Sequence, residues 1–223
     1  GIIANPNCST IIMVMALKPI YDLAKIKRVI VSTYQAVSGA GKEGIDELDA
    51  QVRDHSEGRE MTANILPSAS AEKHYPIAFN LIPQIDVFCD NLYTKEEMKM
   101  VNETKKIMED YEMRITATTI RVPVYRSHSE SVNIELEKEV DLGAMREALA
   151  KFPGVTVQDD PSKQEYPMPL YTSEKDDVYV GRLRRDESCE KSYNMWVVGD
   201  QIRKGAALNT LQIAETMIKN GWI

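Results

Sequence analysis

The sequence predicts an α+β fold, a mixed and largely antiparallel sheet with helices on one face. Two observations point there. Segments rich in β-branched residues dominate the middle of the chain and recur near its end, at 27–35, 114–124, 130–137, 177–185 and 192–199. Segments of helical periodicity separate them, at 11–26, 42–58, 94–111, 141–152 and 202–220. An open, all-parallel Rossmann sheet is not indicated.

Each element has a local reason. Asn5, Pro6 and Asn7 form turns, and Cys8, Ser9 and Thr10 then lead into "IIMVMALKPIYDLAKI", whose Ile11, Met15, Leu17 and Ile20 recur at helical spacing. "KRVIVSTYQ" is strand-like, "SGAG" breaks it, and "KEGIDELDAQVRDHSEG" is a polar amphipathic helix. From 59 to 93 Pro67, Pro76 and Pro83 interrupt short apolar runs, so loops and brief strands are expected. Thr94 caps "TKEEMKMVNETKKIMEDY". "RITATTIRVPV" and "ESVNIELE" read as two sheet strands joined by the turn "YRSHS", with a helix following at 141–152 and ending near Pro153. "DVYVGRLRR" and "SYNMWVVG" precede the last helix, 202–220.

Composition narrows the function. With 223 residues and 43% hydrophobic content the chain can bury a core of its own. A net charge of −7, with no basic run longer than "RLRR", argues against nucleic acid or an anionic membrane surface as partner. Small molecules or proteins are expected instead. Cys8, Cys89 and Cys189 are odd in number and widely spaced, with no signal peptide and no apolar run of membrane-spanning length, so disulfides are not expected and a reducing cytoplasm is. His55, His74 and His128 are scattered and no CxxC is present, so no metal site is expected. The chain starts on Gly, and "GIIANPN" reads as the end of a strand entering a turn, as if something preceded it.

Cys8 draws the chemistry. A thiol at a helix N-terminus faces unpaired N–H groups and the positive end of the macrodipole, which favour the thiolate and hence a nucleophile. The alternative is a free cysteine serving as a small buried hydrophobe. His128, in the turn after "RVPV", titrates near neutrality and is the natural proton partner for a thiol. Arg121, on the strand leading there, carries a fork of donors suited to a carboxylate, or else to a surface ion pair. Glu96 and Lys99 share a helix face at i and i+3, as an anionic and a cationic ligand contact or as a solvated salt bridge. Gln35 ends the first strand. Ser38, Gly39 and Gly41 follow in a loop where backbone can approach a phosphate or nicotinamide, or which is simply a connector.

Taken together, "NPNCST", "STYQAVSGAG", "YTKEEMKM", "RVPVYRSHSESV" and "MWVVGDQIRKGAALNTLQIAE" resemble, in order and spacing, the aspartate-semialdehyde dehydrogenases, particularly the bacterial type, over nearly the whole chain. The resemblance implies a C-terminal domain like that of glyceraldehyde-3-phosphate dehydrogenase. It also implies a reversible reaction in which aspartate 4-semialdehyde, phosphate and NADP+ give 4-aspartyl phosphate and NADPH, running in reverse in amino-acid biosynthesis. On this likeness Cys8 is the nucleophile that forms a thioester, His128 the acid/base and Gln35 a residue that orients substrate. Arg121 clamps the α-carboxylate, Glu96 receives the α-ammonium, and Lys99 and Asn7 contact phosphate. Ser38, Gly39 and Gln201 touch the nicotinamide portion of NADP. The family's N-terminal Rossmann domain, with its glycine-rich phosphate loop, has no counterpart in these residues. The chain is therefore expected to be a catalytic and dimerisation domain (1–201), a homodimer, followed by a helix (202–223) that in the family packs on the Rossmann domain. N-acetyl-glutamyl-phosphate reductase shares the thioester logic, but its acetylated substrate has no use for the Glu96 carboxylate. A non-catalytic dimerisation module is the remaining alternative.

Overall fold

A computed structural model describes residues 1–223. Six strands, β1 (Ile26–Gln35), β2 (Arg114–Arg121), β3 (His128–Leu136), β4 (Val155–Val157), β5 (Val178–Arg185) and β6 (Ser192–Gly199), form one sheet in the order β2-β1-β3-β6-β5-β4. The β1–β3, β3–β6 and β5–β6 ladders are antiparallel, and β1–β2 and β4–β5 are parallel. The mixed, mostly antiparallel sheet expected from the sequence is the one found.

Six helices accompany it: α1 (Cys8–Leu23), α2 (Lys42–Ser56), α3 (Lys95–Ile107), α4 (Leu142–Lys151), the single turn α5 (Pro169–Thr172) and α6 (Leu208–Lys219). α1, α3 and α4 cover one sheet face. Ile12, Met13, Ala16, Leu17 and Ile20 of α1, Met100 of α3, and Met145 and Leu149 of α4 join Val29, Val31, Val132, Ile134, Met195 and Val197 of the strands in a single cluster of 26 buried residues. A separate cluster of six, including Leu48 of α2 with Val37, Leu66 and Ile77, anchors the irregular stretch after α2. There the buried Gln51 amide replaces secondary structure: its Oε1 accepts from the Ile77 and Ala78 N–H groups, and its Nε2 donates to the Thr62 carbonyl. The opposite sheet face is more open. It carries Ile30, Tyr34 and Trp196, the two aromatic rings standing 5.5 Å apart.

Three expectations change. The segments 114–124 and 130–137 are not hairpin partners, because β1 lies between β2 and β3. The connection is no tight turn: the Val122 N–H donates to the Gln35 carbonyl and the Val37 N–H to the Val124 carbonyl, so the chain crosses the end of β1 rather than doubling back. His128 accordingly is the first residue of β3, not a turn residue. Finally, the segment 202–220 is not one α-helix: Arg203–Ala207 form a π-helical turn before α6. No residue of α6 is buried, and an open groove of about 820 Å³ separates it from Met15, Phe152 and Gly154.

Candidate active site

Successive side chains in a strand alternate between faces, so the odd-numbered residues of β1 and β2 and the even-numbered residues of β3 all face the helices. Where those rows end, the core gives way to polar groups. Gln35 is paired with Arg121 of β2, and one register step beyond the Tyr34–Ser129 pair it meets His128 of β3. Gln35, Arg121 and His128 are buried. α1 runs antiparallel to β1, which brings its N-terminus, with Cys8, over the same end of the sheet.

The first turn of α1 is held from two directions. Asn7 is the N-cap: its Oδ1 accepts from the Thr10 N–H at 3.1 Å, and its Nδ2 donates to Glu96 Oε1 at 2.8 Å. The Asn7 N–H donates to Glu103 Oε2 at 2.7 Å. Glu96 and Glu103 lie seven residues apart on α3, hence on one face of it. Gln35 Nε2 also donates to Glu96 Oε1, at 3.3 Å, and Lys99 Nζ stands 3.5 Å from Glu96 Oε2 and 3.2 Å from Asp86 Oδ2. Gly205 of the π-helical turn closes in from the other side, where a Cβ would lie 3.0 Å from Cys8 Cβ.

This environment reverses the expectation for the thiol. Burial and the nearby Glu96 carboxylate push Cys8 up to about 12, while the Ser9 N–H and the Arg121 guanidinium pull the other way and lose. A helix N-terminus favours an anion by about a kcal/mol or less. That is smaller than the desolvation of a sulfur anion with a carboxylate beside it. Cys8 therefore rests as a thiol.

Ala36 organises the proton partner. Its N–H donates to His128 Nδ1 at 3.1 Å, and its carbonyl accepts from Arg121 Nη1 at 2.7 Å. Nδ1 is thereby an acceptor, so the neutral ring carries its proton on Nε2, a buried atom with no protein partner. Burial and Arg121 hold His128 well below the usual imidazole range. Arg121 makes no other side-chain hydrogen bond, and its buried Nε is unpartnered. Gly39 lies against both groups: a Cβ there would be 2.7 Å from Arg121 Nη1 and 3.4 Å from His128 Cε1. Ser38 joins through Gln201, whose Nε2 donates to Ser38 Oγ at 2.5 Å and whose Oε1 accepts from the Ser127 N–H at 2.9 Å. Asn7, Cys8, Gln35, Glu96, Lys99, Arg121 and His128 thus gather at one end of the sheet with Ser38, Gly39 and Gln201 beside them, whereas Gly41, with nothing within 4 Å of where a Cβ would stand, is apart.

Three contributors escaped sequence reading. Ala36 acts through its backbone and leaves no trace in residue type. Gly205 and Asp200 belong to the turn before α6. Asp200 Oδ1 accepts from the Ile202 and Arg203 N–H groups, and its Oδ2 lies 2.8 Å from Arg126 Nη2 beside the histidine. The "GDQ" pattern ahead of a helix was the available signal for that cap.

A cysteine at a helix N-terminus, a histidine whose Nε2 has no protein partner and a buried guanidinium tied to the backbone through Nη1 alone make a thiol–imidazole–guanidinium site at one end of the sheet. Residues 17–204 match the semialdehyde dehydrogenase dimerisation domain, and the chain belongs to that family. It is 55% identical over 223 residues to the aspartate-semialdehyde dehydrogenase of Aquifex aeolicus, covering 100% of this chain and 64% of that protein. With the Bacillus subtilis enzyme of the same name identity is 52% over 220 residues, 98% of this chain and 64% of the relative. The chain thus spans about 64% of the length of these relatives. The crystal structure of aspartate semialdehyde dehydrogenase II from Vibrio cholerae superposes with a TM-score of 0.90 at 46% identity, over 97% of this chain and 62% of that one. The same enzyme has been solved complexed with ASA, with TM-score 0.90 and 45% identity.

Proposed function

We propose that this chain is the catalytic and dimerisation part of an NADP-dependent aspartate-semialdehyde dehydrogenase. The observation that supports this best is the placing of opposite charges on either side of Cys8. Arg121 offers a free guanidinium edge to an α-carboxylate, and Glu96 on α3 offers a carboxylate to an α-ammonium. Lys99, one turn along, takes the phosphate, with Asn7 beside it. Gln35 keeps its Oε1 free to orient the substrate.

In the reductive direction Cys8 sulfur attacks the carbonyl carbon of the acyl phosphate, the carbon–oxygen bond to phosphate breaks, the thiol proton leaves with the departing phosphate, and a thioester forms on Cys8. Hydride for the thioester carbon would come from NADPH held with its nicotinamide against Ser38, Gly39 and Gln201. The His128 Nε2–H donates a hydrogen bond to the carbonyl oxygen as that oxygen gains charge and holds the resulting oxyanion without giving up its proton. When the oxyanion re-forms the carbonyl, the carbon–sulfur bond breaks, the aldehyde leaves and the sulfur takes a proton from solvent. Resting Cys8 as a thiol is compatible with this sequence. Glu96 is one cause of the raised thiol, and the substrate's ammonium neutralises Glu96, so the substrate itself favours the thiolate.

Ser38, Gly39 and Gln201 fit the nicotinamide end of NADP. The space above His128 is kept clear by the missing Gly39 side chain, and Ser38 and Gln201 rim it. These residues hold nothing for the pyrophosphate, which needs a helix N-terminus and glycine loop. The exposed apolar residues of α6 and its neighbour, Leu211, Ile218 and Trp222, together with the groove beside them, suit a nucleotide-binding domain, in line with a division at residues 1–201 and 202–223. The more open sheet face with Tyr34 and Trp196 suits a second copy, giving a homodimer. Cys8, Cys89 and Cys189 are all free, which fits a reducing cytoplasm, and no helix is long and apolar enough to cross a membrane.

Sedimentation of this chain and a steady-state assay, with and without a separately supplied nucleotide-binding domain, test both parts. A dimer without NADP-dependent turnover by itself is expected. A monomer would overturn the assembly, and turnover equal to that of the complemented protein would overturn the division of labour.

A further inference from the structure

β3 begins at His128 and β6 ends at Gly199, and the two residues are paired across the ladder. The segments that leave this end of the ladder, 124–127 on one side and 200–207 on the other, are joined by Asp200, whose side chain is sealed from solvent. Its Oδ1 accepts from the Ile202 N–H at 2.9 Å and the Arg203 N–H at 3.2 Å. Its Oδ2 accepts from the Glu174 N–H at 2.7 Å and lies 2.8 Å from Arg126 Nη2. One carboxylate thus ties together the segment before His128, the segment after α5 and the turn before α6. Ser127 and Glu174 hold left-handed backbone beside these contacts, at φ 69° and 67°, a conformation that residues other than glycine keep only where their surroundings enforce it.

What Asp200 holds is the π-helical turn itself. The Gly205 N–H donates to the Asp200 carbonyl at 3.2 Å and the Ala207 N–H to the Ile202 carbonyl at 3.1 Å, both bonds spanning five residues. Such turns are rare and recur at functional sites. α6, which continues this one, buries no residue, so the turn is anchored mainly from its leading end. Two neighbours of Cys8 and His128 depend on that seat. Gln201 follows Asp200 directly, and its amide spans Ser38 Oγ and the Ser127 N–H. Gly205 lies between Gln201 and the thiol: a Cβ there would meet Cys8 Cβ at 3.0 Å and Gln201 Cβ at 3.3 Å. We propose that Asp200, closed by Arg126, is a positioning residue of this site: it sets the Gln201 amide beside His128 and seats Gly205 over Cys8. The first effect aligns the nicotinamide end of the dinucleotide, and the second keeps water from the sulfur.

The first effect rests on the dehydrogenase reading; the second does not. In this chain alone, alkylation of Cys8 by iodoacetamide at one mildly alkaline pH is followed by peptide mapping, with the half-buried Cys89 as internal reference. Asp200→Ala removes every side-chain contact and should raise the Cys8 rate about tenfold, the thiolate fraction growing as water reaches the sulfur. Asp200→Asn keeps the cap on Ile202 and Arg203 but turns an amide N–H toward Arg126 and the Glu174 N–H, and Arg126→Leu removes the ion pair; each should raise the rate about threefold or more. Arg126→Lys keeps a cation there and should stay within about twofold of the unaltered chain. In a full-length protein carrying the nucleotide-binding domain, Asp200→Ala and Arg126→Leu should raise KM for NADP about tenfold and KM for the semialdehyde less than about threefold, as one misplaced amide would. A merely structural role would lower the thermal midpoint, speed Cys8 and Cys89 labelling together and raise both KM values alike. That pattern overturns the proposal, as does an unchanged Cys8 rate in Asp200→Ala. If Asp200→Ala does not fold, Asp200→Asn and Arg126→Leu decide by the same criteria. Absence of turnover in the unaltered full-length protein counts instead against the dehydrogenase reading, and the labelling comparison then decides the role of Asp200.

Discussion

Ala36 donates its backbone N–H to Nδ1 of His128 at 3.1 Å, and that single bond sets which ring nitrogen keeps the proton. The same residue's carbonyl holds Arg121, so the imidazole and the guanidinium are both anchored on the backbone of residue 36.

The buried, neutral histidine has a consequence for stability. Its folded pKa lies below the unfolded value of about 6.5, so the unfolded chain binds the proton more readily as pH falls. The contribution is fully present above that pH and is lost as pH drops through it. His128→Gln should flatten the decline of the thermal midpoint between neutral and mildly acidic pH, measured by calorimetry. An unchanged pH profile would show that the ring is solvated in solution.

Glu130 carries the opposite sign. Its folded pKa is raised, so the folded state holds a proton that the unfolded state releases above about pH 4.5, and its contribution to stability falls as pH rises through that value. Glu130→Gln removes this loss. Its thermal midpoint at neutral pH should exceed that of the unaltered chain by on the order of 2–4 °C, with the gap closing in acid.

Cys8 should alkylate slowly for a candidate nucleophile. Held up to about 12 by burial and by Glu96, it should react after the exposed Cys189 in peptide mapping at neutral pH. Glu96→Gln removes the nearby negative charge and should accelerate labelling several-fold, the thiolate fraction rising tenfold for each unit by which the pKa falls. If Cys8 labels first and Glu96→Gln has no effect, the thiol is already ionised at rest.

Gly39→Ala should act on Arg121. The added Cβ would stand 2.7 Å from Nη1, whose guanidinium is pinned to the Ala36 carbonyl, and the group must swing out of line. In the full-length protein, semialdehyde affinity should fall by about 1–3 kcal/mol, the cost of misaligned charge-assisted hydrogen bonds. The thermal midpoint should hardly move.

Arg121→Lys should cost a similar amount, about 1–3 kcal/mol in semialdehyde binding, because a point ammonium does not reproduce two parallel bonds to a carboxylate. Cofactor affinity, measured by titration of the same protein, should stay near that of the unaltered enzyme. Equal loss of both would place the effect in the fold.

What the sequence determined by itself was local. Strand alternation, the Thr94 cap, helical periodicity and the pattern of motifs around Cys8, Gln35, Glu96, Arg121 and His128 all depend on residues close together in the chain, so residue type and spacing carry them. The tertiary structure decided everything that depends on which groups become neighbours. The placing of β1 between β2 and β3 could not be read from two strands separated by "YRSHS", because strand order depends on where the core closes and not on the connection alone. The resting state of Cys8 could not be read from a helix N-terminus, because desolvation and the Glu96 carboxylate arrive from α3, far away in sequence, and outweigh the dipole. The tautomer of His128 rests on a backbone N–H that any residue at position 36 except proline would supply. The burial of Glu130 beside Thr33 arises only when helix and sheet meet, since a carboxyl's solvation, and with it its charge, belongs to the packed interface rather than to the residue.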